Sequence, residues 1–325
     1  MAPLVANYYL TNRIYLDPES SLAEDMTAVE DANLTDVARN LSDLRRLGVK
    51  YINLAGTEPL LYADIQQVLT LAKEQGLVVS LSTSPNLYLK QARKIKGLVD
   101  YLNFSLDDDN IIFSDKSASI EAGGSLLAGI ELARSLGEYP VLNFTINLQN
   151  YHYLEAIAKL SQSFGVRVWL ILNSLGAIGE DSPVSHHISG MSAVIEAVTH
   201  KYSHIGYNKA ALAFLQAGGN DRQNPRCQAV DAAISISTDD RLLMPCSHIA
   251  QTAIPIEGKL FDLYQSSPII EKSRKFQGKM PPCQGCTLWT YMIPSFFIGV
   301  DKYWWLNQLT YAGEVLARRR FLQRA

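Results

Sequence analysis

From Leu4 to His200 the apolar residues recur first in alternation and then at helical spacing, several times over. Period two marks half-buried strands and period 3.6 marks amphipathic helices. Leu4 to Leu10 reads as a first strand ending at Thr11-Asn12-Arg13, and Pro18 to Asn33 as an acidic loop. Asp36 to Gly48 is predicted as an amphipathic helix closed by its glycine. Tyr51 to Ala55 gives a second strand, Gly56-Thr57-Glu58-Pro59 a tight loop, and Leu60 to Ala72 a helix that ends at Gly76. Further strands are predicted at Leu77–Leu81, Tyr101–Leu106, Val141–Ile146 and Val166–Leu172. Their helices fall at Leu87–Lys96, Ser119–Leu136, Tyr153–Phe164 and near Met191–His200. Six strand-helix alternations imply a parallel sheet with right-handed crossovers, and hence an α/β chain with a partial (β/α)6 TIM-like barrel over 1–205.

The rhythm then changes. Tyr207 to Ala217 is predicted as one more helix, and Gly218 to Arg226 is glycine-rich and polar. Ala232–Ser237 and Leu242–Met244 flank Thr238-Asp239-Asp240-Arg241 as a β-hairpin. A small β-hairpin and cysteine domain over 206–290 and an aromatic C-terminal helix over 291–325 complete the expected organisation.

Parallel α/β folds place their chemistry at the C-terminal ends of the strands. The polar groups there are Thr11, Glu58, Ser82, Ser105, Asp107, Asn147 and Asn150. Gly56 permits close backbone approach, while Thr57, Glu58 and Pro59 supply a cap, a carboxylate and a first-turn proline at the positive end of a helix. This loop can hold a small polar ligand, or be an ordinary βα turn. Asp107-Asp108-Asp109 is a solvated loop or a divalent-cation site, and His186-His187 a solvated loop.

Composition narrows the class. Of 325 residues 47% are hydrophobic and 19% charged, enough for a substantial core. A net charge of −3 gives no global reason to expect nucleic acid or an anionic membrane. No stretch is apolar for the length a spanning helix needs, and the N-terminus lacks the pattern of a signal peptide. The expected location is cytoplasmic. The aromatic tail, with Trp304, Trp305 and Arg318 to Arg320, either covers the barrel or cluster or seats a helix at a partner or membrane surface, the first being favoured.

All four cysteines lie in the last third, at Cys227, Cys246, Cys283 and Cys286. Four thiolates suffice for one tetrahedral zinc or one 4Fe–4S cluster, and spacing alone does not separate the two. His248 stands two residues beyond Cys246 as a further ligand candidate or a neighbour of the ligands.

The succession Tyr8-Tyr9-Leu10-Thr11-Asn12-Arg13, Gly56-Thr57-Glu58-Pro59-Leu60-Leu61, Ser82-Thr83-Ser84-Pro85-Asn86 and Asn103-Phe104-Ser105-Leu106-Asp107 resembles the radical S-adenosylmethionine (radical SAM) superfamily. The cysteine arrangement is similar to the family's twitch/SPASM-type extension, which holds an auxiliary 4Fe–4S cluster. The resemblance implies that Gly56, Thr57 and Glu58 meet the methionine amino group of SAM, that Ser82, Ser105, Asp107 and more loosely Asn147 belong to the same site, and that the loop near Gly176 and Gly179 is the adenine region. It departs from the family where a CxxxCxxC motif should follow Arg13. Ile14, Pro18 and Ser21 stand at those three places, and none offers a soft ligand for iron.

Beside an active enzyme whose cluster a partner chain completes, which is disfavoured because it needs three thiolates from outside, two readings follow. One is a pseudoenzyme, a cluster-bearing module that works through a protein partner. The other is an enzyme that binds SAM or another small molecule and does non-radical chemistry, with Glu58 or Asp107 as acid/base groups.

Overall fold

The computed structural model describes residues 2–13, 30–106, 111–114, 119–172, 184–250 and 252–322, with the backbone alone at 111–114, 119–122, 184–187 and 315–322. Strands in chain order are β1 (Val5–Thr11), β2 (Tyr51–Gly56), β3 (Val78–Thr83), β4 (Tyr101–Leu106), β5 (Ile111–Ser114), β6 (Ser119–Ala122), β7 (Val141–Ile146), β8 (Arg167–Leu172), β9 (Ile205–Tyr207), β10 (Ala233–Ile236), β11 (Arg241–Met244) and β12 (Thr252–Pro255). The chain divides into two compact units. One comprises Met1–Asn103, Ser135–Glu138 and Ala229–Gln277, and the other Phe104–Arg134, Tyr139–Gln228 and Gly278–Ala325.

In the first unit β10, β1, β2 and β3 run parallel, with Ala233, Val5, Tyr51 and Val78 in register. Strands β11 and β12 follow β10 antiparallel. Alternation along the strands buries Ala6, Tyr8 and Leu10, Ile52 and Leu54, and Val79 and Leu81. Helix Leu34–Arg46 buries Val37, Asn40, Leu41 and Leu44, and helix Ile65–Glu74 buries Ile65, Val68, Leu69 and Ala72, the i, i+3, i+4 and i+7 positions of each. Asn33 caps the first helix by accepting from the Thr35 and Asp36 amides.

Polar groups fasten the late strands to the early ones. The Asn40 amide donates to the Tyr8 hydroxyl at 2.9 Å and to the Asp240 carboxylate at 2.7 Å, joining helix Leu34–Arg46 to β1 and to the turn between β10 and β11. Asp43 accepts from Arg46 at 2.7 Å and from the Phe261 amide at 3.0 Å, which starts the helix Leu260–Ser266.

In the second unit β7, β8 and β9 are parallel, Val141 facing Arg167 and Val168 facing Ile205. Strands β5 and β6 form an antiparallel pair. Phe214, Phe296 and Tyr303 make an aromatic cluster with ring centroids 5.2 to 5.5 Å apart.

Four strands were not in the sequence pattern, Ile111–Ser114 being the first. Ser119–Ala122 is extended, so the helix expected from Ser119 begins at Gly124 and runs to Ser135. A pair of glycines at 123 and 124 explains the late start, since glycine is among the poorest helix formers. Ile205–Tyr207 is a strand, and its helix starts at Lys209 behind an Asn208 cap. Thr252–Pro255 adds β12 beside β11. Strands of three or four residues are too short to show a period.

His204, the residue before β9, is half-buried, and its Nε2 lies 3.0 Å from both the Ala158 carbonyl and the Ser161 hydroxyl. Burial lowers its pKa below the ordinary histidine range. The folded state thus binds a proton less readily than the unfolded state, so stability rises with pH through this group and is lost as pH falls below the unfolded pKa of about 6.5. Melting curves between neutral pH and pH 5 are expected to show a decline that His204→Gln reduces; an identical decline in the variant overturns the assignment.

Candidate functional site

The strand ends of the first unit converge on a knot of three loops. Strands β1 and β2 keep one register from Val5 to Tyr9 and then shift, so that Thr11 faces Gly56. This irregularity turns the end of β1 toward the loop after β2. Gly56 has φ +122°, and a Cβ there would collide with the Thr11 carbonyl oxygen. Only glycine satisfies both conditions. Thr57, the next residue, donates its hydroxyl to the Arg13 carbonyl, two residues beyond Thr11.

Thr11 in turn donates to Asp31 at 2.6 Å, and Arg13 pairs with the same carboxylate at 2.7 Å. The Arg13 guanidinium holds the Asp31 carboxyl below the usual carboxylate range; burial opposes this and the Thr11 hydroxyl assists it. The Asn12 amide donates to the Glu30 carbonyl and the Ala32 amide to the Leu10 carbonyl, so residues 10–13 and 30–32 are bonded side by side. Tyr62 closes this edge by donating to the Ala32 carbonyl at 2.7 Å.

Glu58 is 5% exposed. Its Oε1 accepts from the Leu60 amide at 3.0 Å and from the Thr83 hydroxyl at 2.8 Å, while Oε2 accepts from the Ser84 amide at 2.9 Å. It thereby caps the 3₁₀ turn Pro59–Leu61 and fastens the loop after β2 to the loop after β3. The Ser84 amide stands at the start of helix Pro85–Ile95, where free N–H groups need an acceptor. Bonds of this kind fix a carboxylate in place, which suits positioning better than proton transfer.

Of the other expected site residues, Ser82 is half-buried on β3 and Ser105 half-buried on β4. Asn147 accepts from the Gln149 and Asn150 amides and receives in return the Asn150 side-chain oxygen on its own amide, an interlocked turn after β7. Asp107, Asp108, Asp109, Ile14, Pro18, Ser21, Gly176 and Gly179 lie outside the described residues. The side chains of His186, His187 and Arg318 to Arg320 lie outside them as well.

Cys227, Cys283 and Cys286 belong to the second unit, Cys246 and His248 to the first. Asn220, 1% exposed, stitches the three together. Its Nδ2 donates to the Gly278 and Cys283 carbonyls at 2.8 and 3.0 Å, and its Oδ1 accepts from the Arg226 and Cys227 amides at 3.0 Å each. Its backbone amide donates to the Cys286 carbonyl at 3.2 Å. Gly278 has φ +74°, and a Cβ there would press on Pro225 and Cys227. Burial pushes both the Cys283 and Cys286 thiols up, against the pull of the Met280 and Gly278 amides on the first and the Leu288 amide on the second. Soft thiols beside backbone N–H donors fit a zinc ion or cluster in donor type. Among the described residues, however, no group of three or more His, Cys, Asp or Glu side chains is gathered so as to hold a metal ion.

Sequence reasoning missed Arg13 and Asp31 as partners, Thr83 and Ser84, and Asn220. The Ser-Pro helix start at Ser84 was a usable signal, because a proline at the first helical position marks exposed amides just ahead of it. Nothing in the sequence singled out Asn220.

No family model matches the chain. Among curated proteins it is 22% identical to the PqqA peptide cyclase of Granulibacter bethesdensis over 266 residues, 76% of this chain and 69% of that protein. It is 30% identical over 158 residues to a probable GTP 3',8-cyclase of Methanococcus maripaludis, matching 47% of this chain and 51% of that protein. The chain thus spans about half the length of the GTP 3',8-cyclases it matches. Among solved structures, Streptococcus suis SuiB bound to precursor peptide SuiA has a TM-score of 0.62 at 17% identity, covering 89% of this chain and 70% of that one. Native anSMEcpe with bound AdoMet and Kp18Cys peptide has a TM-score of 0.59 at 10% identity, covering 99% of both chains. The fold is the TIM-barrel-like α/β fold of these enzymes.

Gly56→Ala must shift the Thr11 carbonyl and strain a positive φ, so it is expected to destabilise the protein by about 2–4 kcal/mol in denaturant titration. Glu58→Ala leaves buried amides at Leu60 and Ser84 without their acceptor, and a loss of about 2–4 kcal/mol is expected by the same measurement. Native stability in either variant would show the knot to be slack.

Proposed function

We propose that this chain belongs to the radical SAM superfamily with a SPASM/twitch-like extension, and that it is a pseudoenzyme: a small-molecule and partner-binding module that does not cleave SAM reductively. The observation that carries the reading is in the sequence. No cysteine precedes Cys227, and Ile14, Pro18 and Ser21 stand where the family resemblance requires three thiolates. Without them the chain supplies no ligands for the cluster from which SAM receives its electron.

The loop that would bind a ligand is rigidly held. Gly56, Thr57 and Glu58 are fixed by Thr11, Arg13, Thr83 and Ser84, and Ser82 belongs to the same strand end. Together with Ser105, Asp107 and Asn147 these residues would meet SAM or another small polar molecule. The partner proposed is a peptide or protein segment, because the similar proteins include a peptide cyclase and two enzymes solved with peptides. Cys227, Cys246, Cys283 and Cys286 would hold an auxiliary 4Fe–4S cluster, with zinc as the alternative. A cluster there supplies one-electron chemistry and a rigid cross-link between the loops that bind it. The barrel over 1–205, the cysteine segment over 206–290 and the tail over 291–325 remain the proposed functional partition. No helix among the described residues is long and apolar enough to cross a membrane, and a cytoplasmic location is proposed with the rest.

The second reading, non-radical chemistry on a bound small molecule, rests on the same loop, and turnover by the isolated chain would favour it.

Anaerobic purification with iron, sulfide and zinc analysis, followed by incubation with SAM and dithionite, tests the proposal. About four irons per chain are expected, with no 5'-deoxyadenosine. Formation of 5'-deoxyadenosine overturns the pseudoenzyme, and zinc or no metal overturns the auxiliary cluster.

A further inference from the structure

The strands of the first unit carry side-chain amides and hydroxyls where a parallel barrel ordinarily packs branched apolar residues. One face of these strands is apolar, with Ile234, Ala6, Ile52, Val79 and Leu102 all buried. One residue on, and so on the other face, stand Ser235, Asn7, Asn53, Ser80 and Asn103. Register places the first four in one row across β10, β1, β2 and β3. Asn103 of β4 joins the row by donating to the Ser80 hydroxyl at 3.4 Å.

The row has a direction. Asn7 Nδ2 donates to the Ser235 hydroxyl at 3.5 Å, and Asn53 Nδ2 to Asn7 Oδ1 at 3.3 Å. Asn103 Nδ2 also faces the Leu81 carbonyl at 3.4 Å and the Tyr101 carbonyl at 3.3 Å. All these bonds are longer than the usual range of about 2.7–3.2 Å, so the side chains satisfy one another poorly. Asn7 and Ser235, each 1% exposed, close the row at one end, whereas Asn53, Ser80 and Asn103 are half-buried and within reach of a ligand. With their nitrogens turned to neighbours, Asn53 and Asn103 present carbonyl oxygens that no donor meets among the described residues. The Ser80 hydroxyl, an acceptor toward Asn103, keeps its own hydrogen for a further partner. Three neighbouring strands thus offer acceptor, donor and acceptor, about 4.8 Å from strand to strand.

Charge and the adjoining layer select what fits there. Two residues before the row, on the same face, stand Ala233, Val5, Tyr51, Val78 and Tyr101, so neither layer holds a charge. An ionised group would find no counter-charge, and the occupant must be neutral. An amide edge has one donor beside one acceptor and answers only part of the alternation, whereas hydroxyls on successive carbons each donate and accept. Tyr51 and Tyr101, 48% and 44% exposed, stand on the strands either side of Val78. Such rings supply the broad apolar surface against which the C–H face of a sugar packs.

We propose that Asn53, Ser80 and Asn103, with Tyr51 and Tyr101, form a subsite for an uncharged sugar ring. None of the five belongs to the proposed ligand loop or to the thiols, so the subsite stands or falls apart from those readings. Saturation-transfer NMR on the full chain, with glucose, galactose, mannose and ribose as probes, tests it. Transfer to at least one of these sugars is expected, undiminished by saturating SAM and absent for N-acetylglycinamide. The double variant Asn53→Leu, Asn103→Leu, with an unaltered melting curve, is expected to bind at least about fivefold more weakly, the factor that one uncharged hydrogen bond represents. Should that variant unfold, Tyr51→Ser with Tyr101→Ser, which changes exposed positions alone, is expected to show the same loss. No transfer to any of the sugars overturns the proposal, as does undiminished binding by a folded variant. Displacement by SAM overturns it in favour of the ligand loop, and equal transfer to N-acetylglycinamide in favour of a face that takes any amide.

Discussion

The close approach of Gly56 to the Thr11 carbonyl is the contact on which the strand ends of the first unit depend. It exists because β1 slips register by a residue at its end and because Gly56 holds a positive φ. Once the two backbones touch, Thr57 reaches the Arg13 carbonyl, and the Thr11 hydroxyl is left facing Asp31. Glu58 then points at the loop after β3 and takes up the Thr83 hydroxyl and the Ser84 amide. Each bond is worth only about 1 kcal/mol net, but unmaking those of the buried Glu58 leaves a buried polar group without a partner. The loops therefore hold as a set.

Asn220 plays the corresponding part in the second unit. One buried amide satisfies two carbonyls and two N–H groups from segments near Cys227, Gly278 and Cys283. A side-chain amide has two donor hydrogens and an oxygen with two lone pairs, so all its capacity is used. The thiols of Cys283 and Cys286 are consequently held in fixed surroundings of low polarity, where burial favours the protonated form. A cation in their place would reverse that preference, because binding to thiolates displaces the protons.

What the sequence revealed follows from how far each interaction reaches along the chain. The helices at 34–46 and 65–74 were legible, because Val37, Leu41 and Leu44, and Ile65, Val68 and Leu69, repeat at helical spacing. The hairpin of β10 and β11 was legible from its polar turn. The parallel pairing of Val5 with Ala233 was not, since a pairing between distant segments leaves no local pattern. The four cysteines and the loop at Gly56 announced themselves by residue type and spacing, whereas the partners of Glu58 and the whole role of Asn220 depend on tertiary contact. In the aromatic tail Phe296 and Tyr303 pack on Phe214. Trp305 faces outward, because Asn307 and Thr310 occupy the inner side of its helix.

The knot also bears on what a retained motif means. Gly56, Thr57 and Glu58 are required by the fold itself: the glycine by a carbonyl it touches, the threonine by a carbonyl it bonds, the glutamate by the amides of a helix start. A chain that had stopped binding any ligand there would still lose stability if these residues changed. Their presence is therefore weak evidence for a working SAM site. The same logic gives the missing thiolates their weight. Cysteines that ligate a cluster answer to the cluster rather than to the fold, and in this sequence Ile14, Pro18 and Ser21 stand where the family resemblance places them.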